Sequence, residues 1–401
     1  MTEHRVIVQK FGGTTTGDPL LRPQIYKRIS ETLKDGYRVI AVVSAMGRNG
    51  APYATETLLG LLQNTRFTCR RERDLLMSCG ESIAAVQIAT ELREFGVACI
   101  ARAGFDAGII TDSEFGDARI IRIEPDRLKC DFEIYEVVVV AGFQGVSESG
   151  AITTLGRGGS DTSAIAIGAA LNAERVEIYT DTEGVFSADP RIVPNARFLN
   201  EIHPEDIRQM AWQGAKVLHP RAVELAIRHD TQTRIGRVDR SANTIVTKSF
   251  EYEAIITGIA CGPSVDQISV SLPIADDHAW ATAVFEAVAA VGISMDMFTL
   301  TETLLRFTTP VVSREPLSQA LKRLGADFSI RPNCAKVSIV GAGMHGMRGV
   351  MARFSRCLLD EGIRLIQTVD SHATISGLIR QEDADRAQII LHREFIENPD
   401  V

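Results

Sequence analysis

The sequence predicts an α/β chain in which an N-terminal, mainly parallel sheet sandwiched by helices is followed by two ferredoxin-like units. Three observations predict it. In the first half, apolar runs of strand length end in short loops, most of them glycine-bearing, and alternate with helical stretches. The texture then changes near Ser241–Tyr252. Beyond that point one order of strands and helices occurs twice. The expected domains are residues 1–245, 254–333 and 334–401.

Arg5–Lys10 runs into Phe11-Gly12-Gly13-Thr14, and Arg38–Val43 runs into Ser44-Ala45-Met46-Gly47. Glu136–Ala141 (EVVVVA) is continuously apolar after its first residue, as a strand covered on both faces must be. Arg175–Tyr179 leads into Thr180-Asp181. Helical stretches such as Leu21–Leu33 and Gly80–Phe95 lie between these runs. Such alternation implies a parallel sheet with helices on both faces, and ligands collect beyond the carboxyl ends of its strands.

In the second half, a strand at Asp266–Leu272 precedes a helix at Ala279–Val291, then Gly292-Ile293 and a strand through Met297. Ala335–Val340, Val350–Glu361, Gly362-Ile363 and a strand through Thr368 repeat that order seventy positions later. Each glycine stands where a helix needs a left-handed residue before turning into a strand. Leu304–Thr308 with Leu317–Leu324, and Thr374–Arg380 with Asp383–Phe395, complete two β-α-β-β-α-β units.

The bulk properties narrow the function. Hydrophobic residues make up 45% of the 401, charged residues 23%, and the net charge is −8. An acidic chain without Lys/Arg runs argues against nucleic acid as a partner. No uncharged stretch has membrane-spanning length and the N-terminus has no signal-like apolar segment, so no membrane and a cytoplasmic location are expected. The seven cysteines are scattered and never form CxxC, which fits reduced thiols and gives no metal site.

Four segments carry candidate chemistry. Lys10-Phe11-Gly12-Gly13-Thr14 offers an ammonium and close backbone approach to a phosphate; a tight turn with a solvated lysine is the other reading. Gly156-Arg157-Gly158-Gly159-Ser160-Asp161 opens a small-residue helix. Ser160 or Asp161 is the expected cap, and Arg157 supplies a fork for a carboxylate or phosphate. Thr180–Arg191 places Asp181 and Arg191 after a strand, suited to a nucleotide or to an acidic loop closed by proline. Gly214–Arg221 adds Lys216 as a second cation or a surface lysine, with Pro220 at a first helical turn.

Taken together and in order, KFGGT, SAMG, CGES (Cys79–Ser82), GFQG with TTLGRGGSDTS, and TDTEGVFSADPR with GAKVLHPR resemble the signatures of the aspartate kinase branch of the amino-acid kinase family. The resemblance covers essentially the whole chain, since that family also ends in two ACT domains. It implies the amino-acid kinase fold, ATP with Mg²⁺, and L-aspartate as the phosphoryl acceptor. It places Lys10, Asp161 and Lys216 in catalysis, and Lys10, Phe11, Gly12, Gly13, Thr180, Asp181, Phe186, Arg191, Lys216 and Val217 around ATP. It places Ser44, Thr55, Glu81, Arg157 and Ser160 around aspartate. Asp296, Gln367, Thr368 and Ser371 become candidates for effector binding, with an architectural role as the alternative.

The same resemblance implies a homodimer through the ACT units and a diaminopimelate, lysine or threonine effector. YATETLLGLL, NCAKVSIVGAGM and DSHATIS are similar to isozymes of spore-forming Gram-positive bacteria that respond to diaminopimelate. The first loop departs from the pattern in reading KFGGTT rather than KFGGTS, and the turn Ala275–Trp280 lacks the usual glycine. Another amino-acid kinase, for glutamate or uridylate, would lack the tandem tail. A silent sensor would have lost one of Lys10, Glu81, Arg157, Asp181 or Lys216, and all are present.

Overall fold

The computed structural model describes residues 4–62, 69–215, 217–241, 243–248, 256–273, 279–344 and 347–398. It divides into two compact units. The first comprises Met1–Val185, Phe198–Ala211 and Lys216–Phe250; the second comprises Phe186–Arg197, Trp212–Ala215 and Glu251–Val401.

The first unit is built on an eight-stranded sheet. Its order is Glu201–Ile202, Asn243–Val246, Thr233–Gly236, Arg175–Tyr179, Val6–Phe11, Arg38–Val43, Val137–Ala141 and Cys99–Arg102. Every pairing given for it is parallel except Thr233–Gly236 with Asn243–Val246. In register, Lys10 lies between Val42 and Ile178, so the lysine emerges at the carboxyl end of the sheet's centre. The helices Arg22–Lys34 and Arg70–Glu94 cover one face, burying Ile25, Ile29, Ala84, Ile88 and Leu92 against Val39, Ala41, Val137 and Val139. Fully burying such a side chain is worth about 1.5–3 kcal/mol, so this layer anchors the sheet. The helix Gly159–Ala170 lies close against the sheet, because a Cβ on Gly168 would come within 2.5 Å of Val176 Cγ2. A smaller four-stranded sheet of Ile120–Ile123, Ile109–Thr111, Gln144–Ser147 and Ile152–Thr154 completes the unit.

The second unit holds a seven-stranded antiparallel sheet. Its spine is Phe328–Val340, which pairs with Val265–Ser271 over its first part and with Thr374–Arg380 over its second. Asn333, at φ 57°, lies where the strand passes from one neighbour to the other. Two cores flank this spine. Ile268, Val270, Val284, Val288, Leu305 and Phe307 form one; Val337, Ile339, Phe354, Leu358, Ile379 and Leu391 lead the other. The two repeats therefore share one strand. Gly292 (φ 70°) and Gly362 (φ 74°) hold the left-handed positions that the sequence demanded of them.

Two segments pack away from their sequence neighbours. Gly258–Cys261, within the span expected for the first ferredoxin-like unit, pairs with Val337–Val340, and Ile259 lies in the second core. Ala188 and Val193 are buried in that same core, although both lie inside the expected catalytic span 1–245. No helix among the described residues is long and apolar enough to cross a membrane.

Candidate active site

The loops at the carboxyl ends of Val6–Phe11, Arg38–Val43 and Val137–Ala141, with the entry to Gly159–Ala170, surround a cleft of about 730 Å³ in the first unit. Five residues expected around aspartate line it: Ser44, Thr55, Glu81, Arg157 and Ser160. Lys10 and Asp161 line it too. Lys10 Nζ lies 2.7 Å from Asp161 Oδ1, with both side chains largely buried. Buried charges are retained when they are paired, and this pair fixes the ammonium at the strand's end. Gly12 keeps the approach to it open, since a Cβ there would lie 3.5 Å from Lys10 Nζ. A Cβ on Gly13 would lie 2.4 Å from the Ala45 carbonyl oxygen, so only glycine fits.

Glu81 is 2% exposed and stands on the inner face of Arg70–Glu94. Its Oε1 accepts from the Ala45 backbone N–H at 3.1 Å, while Oε2 is buried with no hydrogen-bond partner. Burial pushes this carboxyl up from 4.5 to about 8, and the Ala45 bond offsets only part of that. A buried carboxylate oxygen with no partner is costly, and this one stands at the wall of the cleft. Arg157 supplies the opposite sign. It is exposed at the cleft and forms no ion pair among the described residues.

The helix entry differs from the sequence expectation. Gly158, at φ 69°, occupies the cap position of Gly159–Ala170, with no side-chain cap bond. Ser160 and Asp161 fall inside the first turn, so Asp161 pairs with Lys10 instead of capping. Gly158 has no room for a side chain, because a Cβ would come within 2.1 Å of His219 Cβ. His219 is itself the cap of Pro220–Arg228, accepting from Arg221 N through Nδ1, and Pro220 stands at the first turn as expected.

The residues expected around ATP are distributed less simply. Phe11 is fully buried in the core and stacks on Tyr179, with centroids 5.3 Å apart, so its ring is structural. Thr180 Oγ1 donates to Asp181 Oδ1 at 3.1 Å, and Arg48 Nη2 holds Asp181 Oδ2 at 2.7 Å. Arg48 Nε also donates to Thr14 Oγ1, tying the two loops together. Phe186 and Arg191 belong to the second unit, where Arg191 forks onto its own Asp189 at 2.9 and 2.6 Å. Lys216 lies outside the described residues, next to a half-buried Val217.

Sequence reasoning passed over Arg48, Phe143 and Asp74. Phe143, which lines the cleft, sits at φ 67°, a strained value for an aromatic residue that no sequence signal announced. Asp74 is fully buried, seven positions before Glu81 on the same helix face. Burial raises its carboxyl, opposed by backbone bonds from Gly116 and Thr154. An acidic residue two helical turns from Glu81 was the available clue.

In the second unit, Lys336 Nζ pairs with Asp296 Oδ2 at 2.6 Å. Gln367 Nε2 donates to Thr299 Oγ1 at 3.0 Å and to the Met297 carbonyl, and Gln367 Oε1 accepts from Gln267 at 2.8 Å. Asp296 Oδ1 also accepts from the Met297 backbone N–H at 2.8 Å, so Asp296 and Gln367 meet at the main chain of that residue. Ser371 instead serves its own turn, accepting from Thr374 N at 3.1 Å, and Thr368 is exposed on its strand. The turn at residues 275–278 lies outside the described residues.

The amino acid kinase family model matches residues 5–237, and an ACT domain model matches residues 329–393. Fold, cleft and matches together define a phosphotransferase of the amino acid kinase class with an ACT-type C-terminal half. Aspartokinase 1 of Bacillus subtilis (strain 168) is 42% identical over 98% of this chain and 99% of its own length. The aspartokinase of Geobacillus stearothermophilus is 38% identical over 97% of each chain. The chain belongs to the aspartokinase family. Its fold is also similar to that of E. coli aspartokinase III in complex with aspartate and ADP, with a TM-score of 0.81, 24% identity and coverage of 97% and 99%.

Proposed function

We propose that this chain transfers the γ-phosphoryl group of ATP to the side-chain carboxylate of L-aspartate, yielding ADP and 4-phospho-L-aspartate. The observation that carries this reading is the Glu81 carboxyl, buried at the cleft with one oxygen unpartnered. An α-ammonium group completes it, while Arg157 takes a carboxylate of the same amino acid in a two-bonded fork. Ser44, Thr55 and Ser160 supply the remaining polar contacts.

The acceptor carboxylate is ionised at neutral pH, so the step needs no general base. Its oxygen forms a bond to the γ-phosphorus as the bond from that phosphorus to the ADP oxygen breaks, and no proton moves. What the protein supplies is alignment and charge stabilisation. Lys10 faces the transferring group, Asp161 holds Lys10 in place, and Lys216 is the second cation. Gly12, Gly13 and the main chain of Phe11 offer backbone approach; Thr180, Asp181, Phe186, Arg191 and Val217 complete the nucleotide assignment. Mg²⁺ enters as substrate with ATP, because this ion is held mainly by phosphates with one or two carboxylates.

The ACT half makes a feedback-regulated homodimer the accompanying reading, in the cytoplasm and at the entry to diaminopimelate, lysine, threonine and methionine synthesis. The Asp296 and Gln367 contacts support an effector role there. The likeness of YATETLLGLL, NCAKVSIVGAGM and DSHATIS to the diaminopimelate-responsive isozymes favours diaminopimelate as effector. ADP release coupled to a reporter, with hydroxylamine trapping of the acyl phosphate, tests the reaction with aspartate against glutamate. Absence of aspartate-dependent turnover overturns the reading. Repeating the assay with diaminopimelate, lysine and threonine tests the effector, and inhibition by lysine alone overturns diaminopimelate.

A further inference from the structure

We infer that Asp74 is a positioning residue for Arg157, fixing the loop that presents the guanidinium to substrate; this rests on the role proposed for Arg157. Asp74 is 0% exposed, yet it lines the same cleft as Glu81. Its Oδ2 accepts two backbone N–H groups from separate segments, Gly116 at 2.9 Å and Thr154 at 2.7 Å.

Both segments bear on Arg157. Thr154 ends the strand Ile152–Thr154, three residues before Arg157. Gly116 precedes Asp117, whose Oδ2 takes Arg221 Nη2 at 2.6 Å, and Arg221 Nη1 reaches back to the Leu155 carbonyl at 3.5 Å. Ala118 N donates to the Thr154 carbonyl at 2.9 Å. A Cβ on Gly156 would lie 2.7 Å from Asp117 Oδ1, so the two loops are in direct contact beside Arg157. Asp74 therefore joins the Arg70–Glu94 helix, which carries Glu81, to the platform under Arg157. One helix sets the spacing between the group that takes the α-ammonium and the group that takes the carboxylate.

One oxygen of Asp74 accepts both N–H groups, which an amide oxygen could still do and a truncated side chain cannot. Asp74→Ala should raise KM for aspartate about tenfold or more while leaving KM for ATP within about twofold. Because Asp74 acts through Arg157, the same substitution in an Arg157→Ala background should change KM for aspartate by no more than about twofold. A folded Asp74→Ala protein with KM for aspartate unchanged overturns the inference. So does the full tenfold factor persisting in the Arg157→Ala background. Should Asp74→Ala fail to fold, the exposed Asp117→Asn replaces it. Loosening the same platform should raise KM for aspartate about threefold, again only when Arg157 is present. No change in the full-length Asp117→Asn protein then counts against the proposal. If Arg157→Ala itself leaves KM for aspartate unaltered, the assignment of Arg157 falls, which is a separate failure.

Discussion

Replacing Glu81 by glutamine keeps the side chain's shape and removes its charge, and the consequence depends on pH in a calculable way. The free protein holds the Glu81 carboxyl at about 8, against an ordinary 4.5. The ionised fraction that can meet an ammonium is then about 3% at pH 6.5 and about 75% at pH 8.5. A hydrogen bond to a charged partner is worth about 1.5–3 kcal/mol, or about ten- to 150-fold in affinity. Glu81→Gln should therefore raise KM for aspartate by about that factor at pH 8.5. The ratio of variant to wild-type KM should fall toward one at pH 6.5, where the wild type is itself mostly neutral. Initial rates over an aspartate series at saturating MgATP, at both pH values, give the two ratios. Stability moves the other way. Between pH 4.5 and 8 the native state keeps a proton that the unfolded chain has lost, so stability falls as pH rises through that window. The 3.5-unit difference sets a ceiling of about 5 kcal/mol, so the ligand-free glutamine variant should melt higher than wild type at pH 8. Equal KM ratios at pH 6.5 and 8.5, or a KM within twofold of wild type at pH 8.5, would refute the role given to Glu81.

Lys10→Ala should lower kcat by about a hundredfold or more with circular dichroism unchanged, since it removes the cation proposed to face the transferring group; near-normal turnover overturns that role. Gly158→Ala puts a Cβ within 2.1 Å of His219 Cβ at φ 69°, and should cost about 1–3 kcal/mol in a thermal melt; an unchanged melting temperature contradicts the steric account. Gln367→Ala breaks the bonds to Thr299 and Gln267, and should shift the half-inhibitory effector concentration about threefold or more while leaving uninhibited kcat unchanged; an unchanged inhibition curve assigns Gln367 to architecture.

Much of this was legible in the sequence, for physical reasons that differ by element. Arg38–Val43, Arg175–Tyr179 and Thr374–Arg380 were read to the residue, because strands buried on one or both faces announce themselves by composition. The Arg70–Glu94 helix was read only from Gly80. Its first turns, Arg70-Arg71-Glu72-Arg73-Asp74, are polar and show no apolar period, yet Asp74 is buried by partners far along the chain. The Phe328–Val340 strand was expected only from Ala335, since the exposed Arg331, Pro332 and Asn333 read as a break. At the site, the resemblance picked out Lys10, Ser44, Thr55, Glu81, Arg157, Ser160 and Asp161 from the lining of the cleft, and passed over Asp74 and Phe143. Motifs name residues without saying which atoms are used: Phe11 turned inward, Asp161 took Lys10 rather than a cap, and Arg48 secured Asp181. Those outcomes depend on which neighbours the fold brings near, and no local pattern encodes them.

The pairing of Gly258–Cys261 with Val337–Val340 bears on how the protein is made and how it can be cut. The second core needs a strand synthesised about eighty residues before its partner strand, so that strand must wait while the intervening repeat forms. A fragment starting at Phe328 would carry the whole ACT match but leave Val337–Val340 with a bare edge, inviting association with other chains. The two repeats look separable when laid out in order. In assembly, the earlier repeat is a loop within the later one, and neither can be exchanged between relatives without carrying residues 256–261 along.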